Sequence, residues 1–297
     1  MINIHIIGNG TETYAIRSLL EANEVNLPGP VKVNIFGEYY FRNSLIYTLN
    51  NYLKIEDVIK AADVVICTDP IYEDQNIVSL CADNSKPLFC TFTFENSILN
   101  PNSICIDGLN VADAASDLWI NRLIDVTENL TGIEHFYGLQ KLYDTGENAL
   151  PGITIDEYRA ATQGISGQPR LITLGDRYYY ASEVGTDFDN DVPITYNWIV
   201  DTDQIDANKL DQQSEFIFHT VITTKNPEDS TEILTRSHMT CQHARSLPAW
   251  FYINACVVTS FIYMYMAKQL PTSCIDYNMV NHSTFSTNLF GKRFRIA

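Results

Sequence analysis

The sequence is poor in positive charge. Its 297 residues include 19 lysines and arginines against 36 aspartates and glutamates, which gives a formal net charge of −17 at pH 7. A surface of this sign repels nucleic-acid phosphates and anionic lipid headgroups, so neither is expected as a partner. Two interpretations of the acidic surface stay open: it keeps the protein soluble, or it attracts a basic protein or peptide.

Cysteine pairs with the CxxC spacing are also absent. The seven cysteines stand singly, mostly within apolar runs, at positions 67, 81, 90, 105, 241, 256 and 274. The common structural zinc site needs two such pairs, so no structural zinc is predicted. Isolated cysteines, and an N-terminus without a basic segment before an apolar one, are typical of a cytoplasmic protein with reduced thiols.

One run without charge is long enough to raise the question of a membrane. Residues 249–267 carry no charged side chain, and their number is close to the roughly 20 residues that a membrane-spanning helix needs. Polar side chains interrupt the run at Asn254, Thr259 and Ser260. We therefore predict a long apolar helix that serves the core or a dimer interface, with no membrane insertion.

The first 110 residues alternate short apolar strands with helices. Strands are predicted at residues 2–8, 31–37, 63–69, 87–94 and 103–109, and residues 45–62 are predicted to be mostly helical. This alternation is typical of an α/β protein with a Rossmann-like, doubly wound parallel sheet that is covered on both faces. Ligands bind such sheets at the carboxyl ends of the strands.

The pattern changes after a helical segment that ends near Leu142. Residues 169–185, 194–203 and 214–226 alternate apolar and polar side chains and are rich in aromatic and β-branched types, as antiparallel strands are. The predicted organisation is a Rossmann-like half over residues 1–140. A β-rich antiparallel half follows over residues 141–297 and contains the apolar helix.

A glycine turn lies between the first strand and the first helix. Gly8 and Gly10 leave room for backbone amides and the helix dipole to face a phosphate. Thr13 takes the place of the third glycine of the G-x-G-x-x-G pattern, so the turn either binds a nucleotide or is retained only for folding. Glu38, after the second strand, is placed to accept a hydrogen bond from a ribose hydroxyl. Asp69 stands at the carboxyl end of the third strand.

Several stretches together resemble the ThiF/MoeB superfamily, the enzymes that activate ubiquitin-like carrier proteins by adenylating their C-termini. The stretch ADVVICTDP at residues 62–70 is similar to a strand of that superfamily that ends in Cys-Thr-Asp, and Asn76 stands in the helix that follows. Residues 94–123 resemble the branch found in gene clusters for ribosomally made, modified peptides of the thiazole/oxazole bacteriocin type. The counterpart of its Asp-x-x-Trp pattern lies at residues 115–119.

The resemblance implies a homodimer that binds a precursor peptide and presents it to a modifying enzyme, with residual ATP-dependent adenylation as the weaker role. In an adenylating member Asp69 would hold Mg²⁺, Gly8, Gly10 and Glu38 would bind ATP, and Cys241 would be the acyl-transfer thiol. Adenylating members use an arginine to compensate the charge of the triphosphate, and this sequence has no well-placed arginine for that role. Because of this departure, peptide binding is the main prediction.

The same features allow a second function and a second interpretation of Cys241. An NAD(P)-dependent reductase would bind its nucleotide through the glycine turn and its substrate through the antiparallel sheet. Cys241 stands between His238 and His243, which is either a thiol beside a base or a polar loop near the core. The reductase is kept as the alternative to peptide binding.

Overall fold

The computed structural model divides the chain into two compact units. One contains Met1–Trp119 and Phe251–Arg293, and the other contains Ile120–Trp250 and Phe294–Ala297. The structure describes residues 1–41, 44–49, 54–70, 72, 76–94, 104–141, 170–174, 177–189, 192–200, 214–224, 231–233, 249–273 and 276–294. The two units interleave along the sequence, because the chain returns to the first unit after completing most of the second.

The sheet of the first unit has the strand order β3-β2-β1-β4-β5-β6. Its strands are β1 (Ile2–Ile7), β2 (Val31–Phe41), β3 (Ser44–Leu49), β4 (Val64–Cys67), β5 (Leu88–Cys90) and β6 (Cys105–Ile106). All neighbours are parallel except β2 and β3, which pair antiparallel. The predicted Rossmann-like parallel sheet is therefore confirmed, and its strand order reverses between β1 and β4, where such sheets bind ligands.

The prediction of helix at residues 45–62 was wrong in its first part. Residues 44–49 form β3, and α2 (Ile55–Ala61) begins only after them. A short apolar run has the same hydrophobic pattern in a buried helix and in a strand, so periodicity could not separate the two. Pairing with β2, from Gly37 opposite Leu49 to Phe41 opposite Ser44, selects the strand.

The helices of the first unit pack apolar faces that are legible in the sequence. They are α1 (Thr11–Ala22), α2, α3 (Ile77–Asp83), a π-helical turn (Val111–Ala115), α5 (Ala249–Met266) and α6 (His282–Thr287). The π-helical turn continues into α4 (Ser116–Val126), which belongs to the second unit from Ile120 onward. In α1 the buried side chains are Thr13, Ala15, Ile16, Leu19 and Leu20. Their spacing of three and four residues forms one stripe of a helix.

Helix α5 is buried around most of its circumference, with side chains such as Phe251, Ile253 and Val257 inside the core. Its polar groups are satisfied: the Asn254 Oδ1 atom accepts a hydrogen bond from the Val111 amide at 2.9 Å, and Ser260 Oγ donates to a backbone carbonyl one turn earlier. Within the part of the chain that the structure describes, no helix has the length and apolar character needed to cross a membrane.

The second sheet has the strand order β12-β11-β7-β10-β9-β8. Its strands are β7 (Leu130–Lys141), β8 (Arg170–Leu174), β9 (Arg177–Asp189), β10 (Val192–Val200), β11 (Ser214–Thr224) and β12 (Thr231–Ile233). The prediction of an antiparallel sheet needs correction, because β7 and β10 pair in parallel. Two strands intervene between them in the chain, so no hairpin fixes their relative direction.

Candidate functional site

The glycine turn lies between β1 and α1 and is set by close backbone contacts. Gly10 has φ +91° and ψ −172°, a conformation that only glycine adopts readily. The Gly8 amide donates to the Phe36 carbonyl, and a Cβ on Gly8 would lie 2.0 Å from Thr68 Oγ1. No side chain caps the N-terminus of α1, so its first amides and the positive end of its dipole are suited to an anion.

Thr13 fits the place of the missing third glycine. Its Oγ1 atom lies 2.6 Å from Thr68 Oγ1 in a buried hydrogen bond and 3.4 Å from the Asn9 carbonyl. The third glycine of the pattern normally allows the helix and strand to pack closely. Here the hydroxyls of Thr13 and Thr68 form a hydrogen bond between the helix and the strand end, so a threonine at this position is compatible with the turn.

The structure brings Asp69 to the glycine turn, as its position after a strand predicted. Asn9, between the two glycines, donates through Nδ2 to Asp69 Oδ2 at 2.8 Å. The Thr68 amide donates to the Ile7 carbonyl, which joins the ends of β4 and β1. Gly8, Gly10 and Asp69 therefore share one edge of the sheet.

Glu38 does not stand where the sequence placed it. Strand β2 continues to Phe41, so Glu38 lies within the strand and opposite Thr48 of β3, and its side chain is outside the described part of the structure. The residue at the turn is Gly37, where a Cβ would lie 2.0 Å from the Gly8 carbonyl oxygen. A glycine inside a strand pattern signals such a close backbone approach, and this signal was missed.

The predicted thiol and metal roles find no support. Cys241, with His238 and His243, lies outside the described residues. Among the residues that the structure describes, no group of three or more His, Cys, Asp or Glu side chains is arranged to hold a metal, and Asp69 belongs to no such group. Burial raises the pKa of the Cys105 and Cys256 thiols to about 12, so both stay protonated and unreactive.

A second polar cluster follows β5 and β6 at the same edge of the sheet. Asp113 accepts through Oδ2 from Asn110 Nδ2 at 2.8 Å and from Thr93 Oγ1 at 3.5 Å. Burial raises the pKa of the Asp113 carboxyl, and the bonds from Asn110 and Thr93 oppose that shift. Nearby, the Phe94 amide donates to Asp107 Oδ2 at 2.8 Å. Sequence reasoning singled out neither aspartate as a site residue.

Tyr277 connects this cluster to the start of α4. Its hydroxyl donates to Asp117 Oδ2 at 2.7 Å, and Gly108 lies against its ring. Burial and the neighbouring Asp117 carboxylate both raise the pKa of Tyr277, so the phenol keeps its proton. From the other side, Glu12 of α1 accepts from Thr91 Oγ1 at 3.2 Å. The edge thus combines an amide turn suited to an anion with carboxyl and phenol groups that can hold protons.

Comparison with known proteins identifies the fold. No protein-family model and no curated protein sequence matches the chain. Apo saccharopine dehydrogenase (L-Glu forming) from Saccharomyces cerevisiae is similar in structure, with a TM-score of 0.61 at 7% identity over 96% of both chains.

Two other dehydrogenases are less similar to the chain. A levoglucosan dehydrogenase in complex with NADH reaches a TM-score of 0.43 at 9% identity over 98% of this chain and 96% of that one. A probable dehydrogenase from Thermotoga maritima reaches 0.44 at 9% identity over 95% and 93%.

The resemblance to the ThiF/MoeB superfamily was wrong, because the architecture matches a dehydrogenase over nearly the whole length of both chains. Three further predictions fall with it: bacteriocin maturation, presentation of a precursor peptide to a modifying enzyme, and ATP with Mg²⁺ as cofactor. A strand that ends in an acidic residue at the edge of a parallel sheet is compatible with more than one function on a Rossmann-like fold, so the quoted motif could not identify the superfamily. The fold of this chain is similar to that of saccharopine dehydrogenase.

Proposed function

We propose that the chain is an oxidoreductase that binds a nicotinamide dinucleotide. The observation that carries the proposal is the glycine turn of Gly8 and Gly10, which lies at the switch point between β1 and β4 of a dehydrogenase-like fold. A dinucleotide crosses an open α/β sheet at that point, with its pyrophosphate at the N-terminus of the first helix.

The turn fits a pyrophosphate. Gly10 has a conformation in which a side chain would be strained, and α1 offers first-turn amides that no side chain caps. The amides and the helix dipole attract an anion without a lysine or arginine. In this proposal the backbone of residues 8–12 holds the pyrophosphate.

When bound, the nicotinamide supplies the hydride donor or acceptor. The chain contributes groups that orient the substrate and hold protons at the carboxyl ends of β5 and β6. Asp113, whose pKa burial raises, is the proposed acid and base, and Asn110 fixes its carboxyl by a 2.8 Å bond. The Tyr277 hydroxyl donates a hydrogen bond to Asp117 Oδ2 at 2.7 Å, so its proposed role is to fix the Asp117 carboxylate beside the cluster.

Thermal unfolding with NADH, NADPH or ATP and Mg²⁺ tests the cofactor. A ligand that binds only the native state stabilises it by about 2.7 kcal/mol at a hundred times its Kd. We expect NADH or NADPH to raise the Tm, and the Gly10→Ala variant to lose that shift because of its φ of +91°. Gly29→Ala is the matched control, since nothing lies within 4 Å of its Cβ position. Two results would contradict the proposal: a Tm that rises only with ATP and Mg²⁺, or a Tm that none of the nucleotides raises.

The proposed role of Asp113 has its own test. Once a substrate is found by screening carbonyl and amine compounds with the preferred dinucleotide, Asp113→Asn should lower kcat by about 100-fold, the lower range for a general acid or base. It should leave dinucleotide affinity unchanged. An unchanged kcat would remove Asp113 from the mechanism.

The homodimer stays a prediction, which sedimentation equilibrium checks.

A further inference from the structure

The side chain of Asn9 lies across the switch point of the first sheet. Its Nδ2 atom donates to Asp69 Oδ2 at 2.8 Å, just after β4. Its Oδ1 atom lies 2.9 Å from the position that a Cβ on Gly37 would take, within β2. Because β1 stands between β2 and β4, this one amide side chain reaches from the strand on one side of the turn to the strand end on the other.

The backbone contacts of the turn act mainly on Gly8, whose amide donates to the Phe36 carbonyl. Asn9 is flanked by Gly8 and Gly10, and glycine has more backbone freedom than any other residue. A side-chain contact of Asn9 with a residue outside the turn therefore adds a restraint on the amides between the two glycines. The hydrogen bond to Asp69 joins residues 60 positions apart, and a bond of this kind to a carboxylate is among the stronger ones available to a neutral donor.

We propose that Asn9 and Asp69 are positioning residues, and that their hydrogen bond holds the glycine turn in the conformation that receives the pyrophosphate. This rests on the proposed function for the identity of the ligand. Asp69 acts as a hydrogen-bond acceptor, and its negative charge opposes the anion beside it. The assignment gives a role to an acidic residue beside the proposed anion site, where the resemblance implied Mg²⁺ binding only if adenylation had survived.

Three variants separate the acceptor from the charge. Asp69→Asn keeps an acceptor oxygen and removes the charge, Asp69→Ala removes both, and Asn9→Ala removes the donor from an exposed position. Calorimetric titration with NADH and with NADPH measures the Kd. We expect Asp69→Ala and Asn9→Ala to raise the Kd by about fivefold, and Asp69→Asn to bind as tightly as the original chain or more tightly, because a hydrogen bond is retained and a like charge is lost.

Two outcomes overturn the proposal. Equal weakening in Asp69→Asn and Asp69→Ala would mean that the charge itself is needed. Unchanged affinity in both Asp69→Ala and Asn9→Ala would mean that the bond has no role in binding. Should Asp69→Ala fail to fold, Asn9→Ala removes the same bond without touching the half-buried aspartate.

Hydrogen exchange of the ligand-free protein separates failure of this inference from failure of the proposed function. Peptides that cover residues 8–12 should exchange faster in Asp69→Ala and Asn9→Ala than in Asp69→Asn, because the turn opens more often without the bond. If no dinucleotide binds the original chain, the proposed function fails and exchange still tests the positioning role. If dinucleotide binds and exchange is equal in all variants, the positioning role alone fails.

Discussion

Gly37 is the residue at which β2 comes nearest to the glycine turn. Its φ is +144°, and a Cβ there would lie 2.0 Å from the Gly8 carbonyl oxygen and 2.9 Å from Asn9 Oδ1. The sequence shows Gly37 only as a spacer before Glu38. In the structure β1 pairs with β2, and the absence of a side chain at Gly37 allows β2 to approach the backbone of the glycine turn.

Gly37→Ala should therefore destabilise the first unit. The added methyl group meets backbone, which cannot move aside as a side chain would, so we expect the free energy of unfolding to fall by about 2–3 kcal/mol. Urea unfolding followed by circular dichroism measures the change. Gly29→Ala, with open space around its Cβ position, should be close to neutral, and equal losses in the two variants would contradict the argument.

His135 is a buried group of the second unit whose ionisation is coupled to folding. Its side chain is fully buried, and its Nδ1 atom lies 2.8 Å from Thr220 Oγ1. Burial, with the nearby His219, lowers the pKa of His135 from 6.5 to about 3. The folded protein therefore keeps this imidazole neutral over a range in which the unfolded chain protonates it.

The sign of the pH dependence follows from these two pKa values. Between pH 6.5 and about 3, His135 is protonated in the unfolded state and neutral in the folded state. The free energy of unfolding therefore falls as the pH is lowered through this window. His135 alone should cost about 2 kcal/mol between about pH 7 and pH 5. Urea unfolding as a function of pH measures this, and His135→Gln should have a flatter profile. An unchanged slope in that variant would remove His135 as the cause.

At the scale of elements, α5 shows how a polar residue serves an apolar helix. Asn254 is buried, and its Oδ1 atom is the acceptor for the Val111 amide at 2.9 Å, at the start of the π-helical turn. The partner lies 143 positions away in the sequence. The amide therefore ties α5 to the segment that leads into α4.

Asn254→Leu should be costly, because it leaves the Val111 amide buried without its acceptor. We expect a loss of about 1–3 kcal/mol in the free energy of unfolding. Thr259→Val is the matched control: the Thr259 hydroxyl donates to the carbonyl of Ala255 in its own helix, so its removal strands no distant group. Urea unfolding compares the two, and a larger loss in Thr259→Val would refute the assignment.

Two elements show the limit of pattern reading. Residues 45–49 have the composition of a buried segment, and only pairing with β2 makes them a strand. Residues 130–141 belong to the segment that was predicted to be mostly helical, and that prediction was wrong for them, because they form strand β7 between β10 and β11. Strand β10 has the alternation typical of an antiparallel strand, yet it runs parallel to β7. Alternation reports that one face of a strand is buried, and it carries no information on the direction of the neighbour.

At the scale of the whole molecule, the net charge of −17 should weaken the folded state through self-repulsion. Raising the salt from a low value to about 0.3 M shortens the screening length and should raise the Tm. Differential scanning calorimetry in NaCl measures the change. Tetramethylammonium chloride is the control, because screening predicts a similar rise with either cation. A Tm that is flat or falls with salt would contradict the expectation.

The two compact units also belong to this scale. The first takes residues 1–119 and then 251–293, so α5 completes a unit that began at the N-terminus. A sequence pattern is read along the chain, and a change of pattern near Leu142 suggests one boundary. Contacts between distant segments decide which parts belong together.

The sequence by itself determined the local features: the parallel strands of the first sheet, the helix face of α1 and the glycine turn. Hydrophobic periodicity and turn chemistry act over a few residues, so they are legible in the chain. Tertiary structure alone decided the contacts of Asn9 with Asp69 and of Tyr277 with Asp117, which join residues 60 and 160 positions apart. It also decided the similarity of the fold to that of a dehydrogenase, because a short motif at a strand end is compatible with several architectures, and long-range packing selects one.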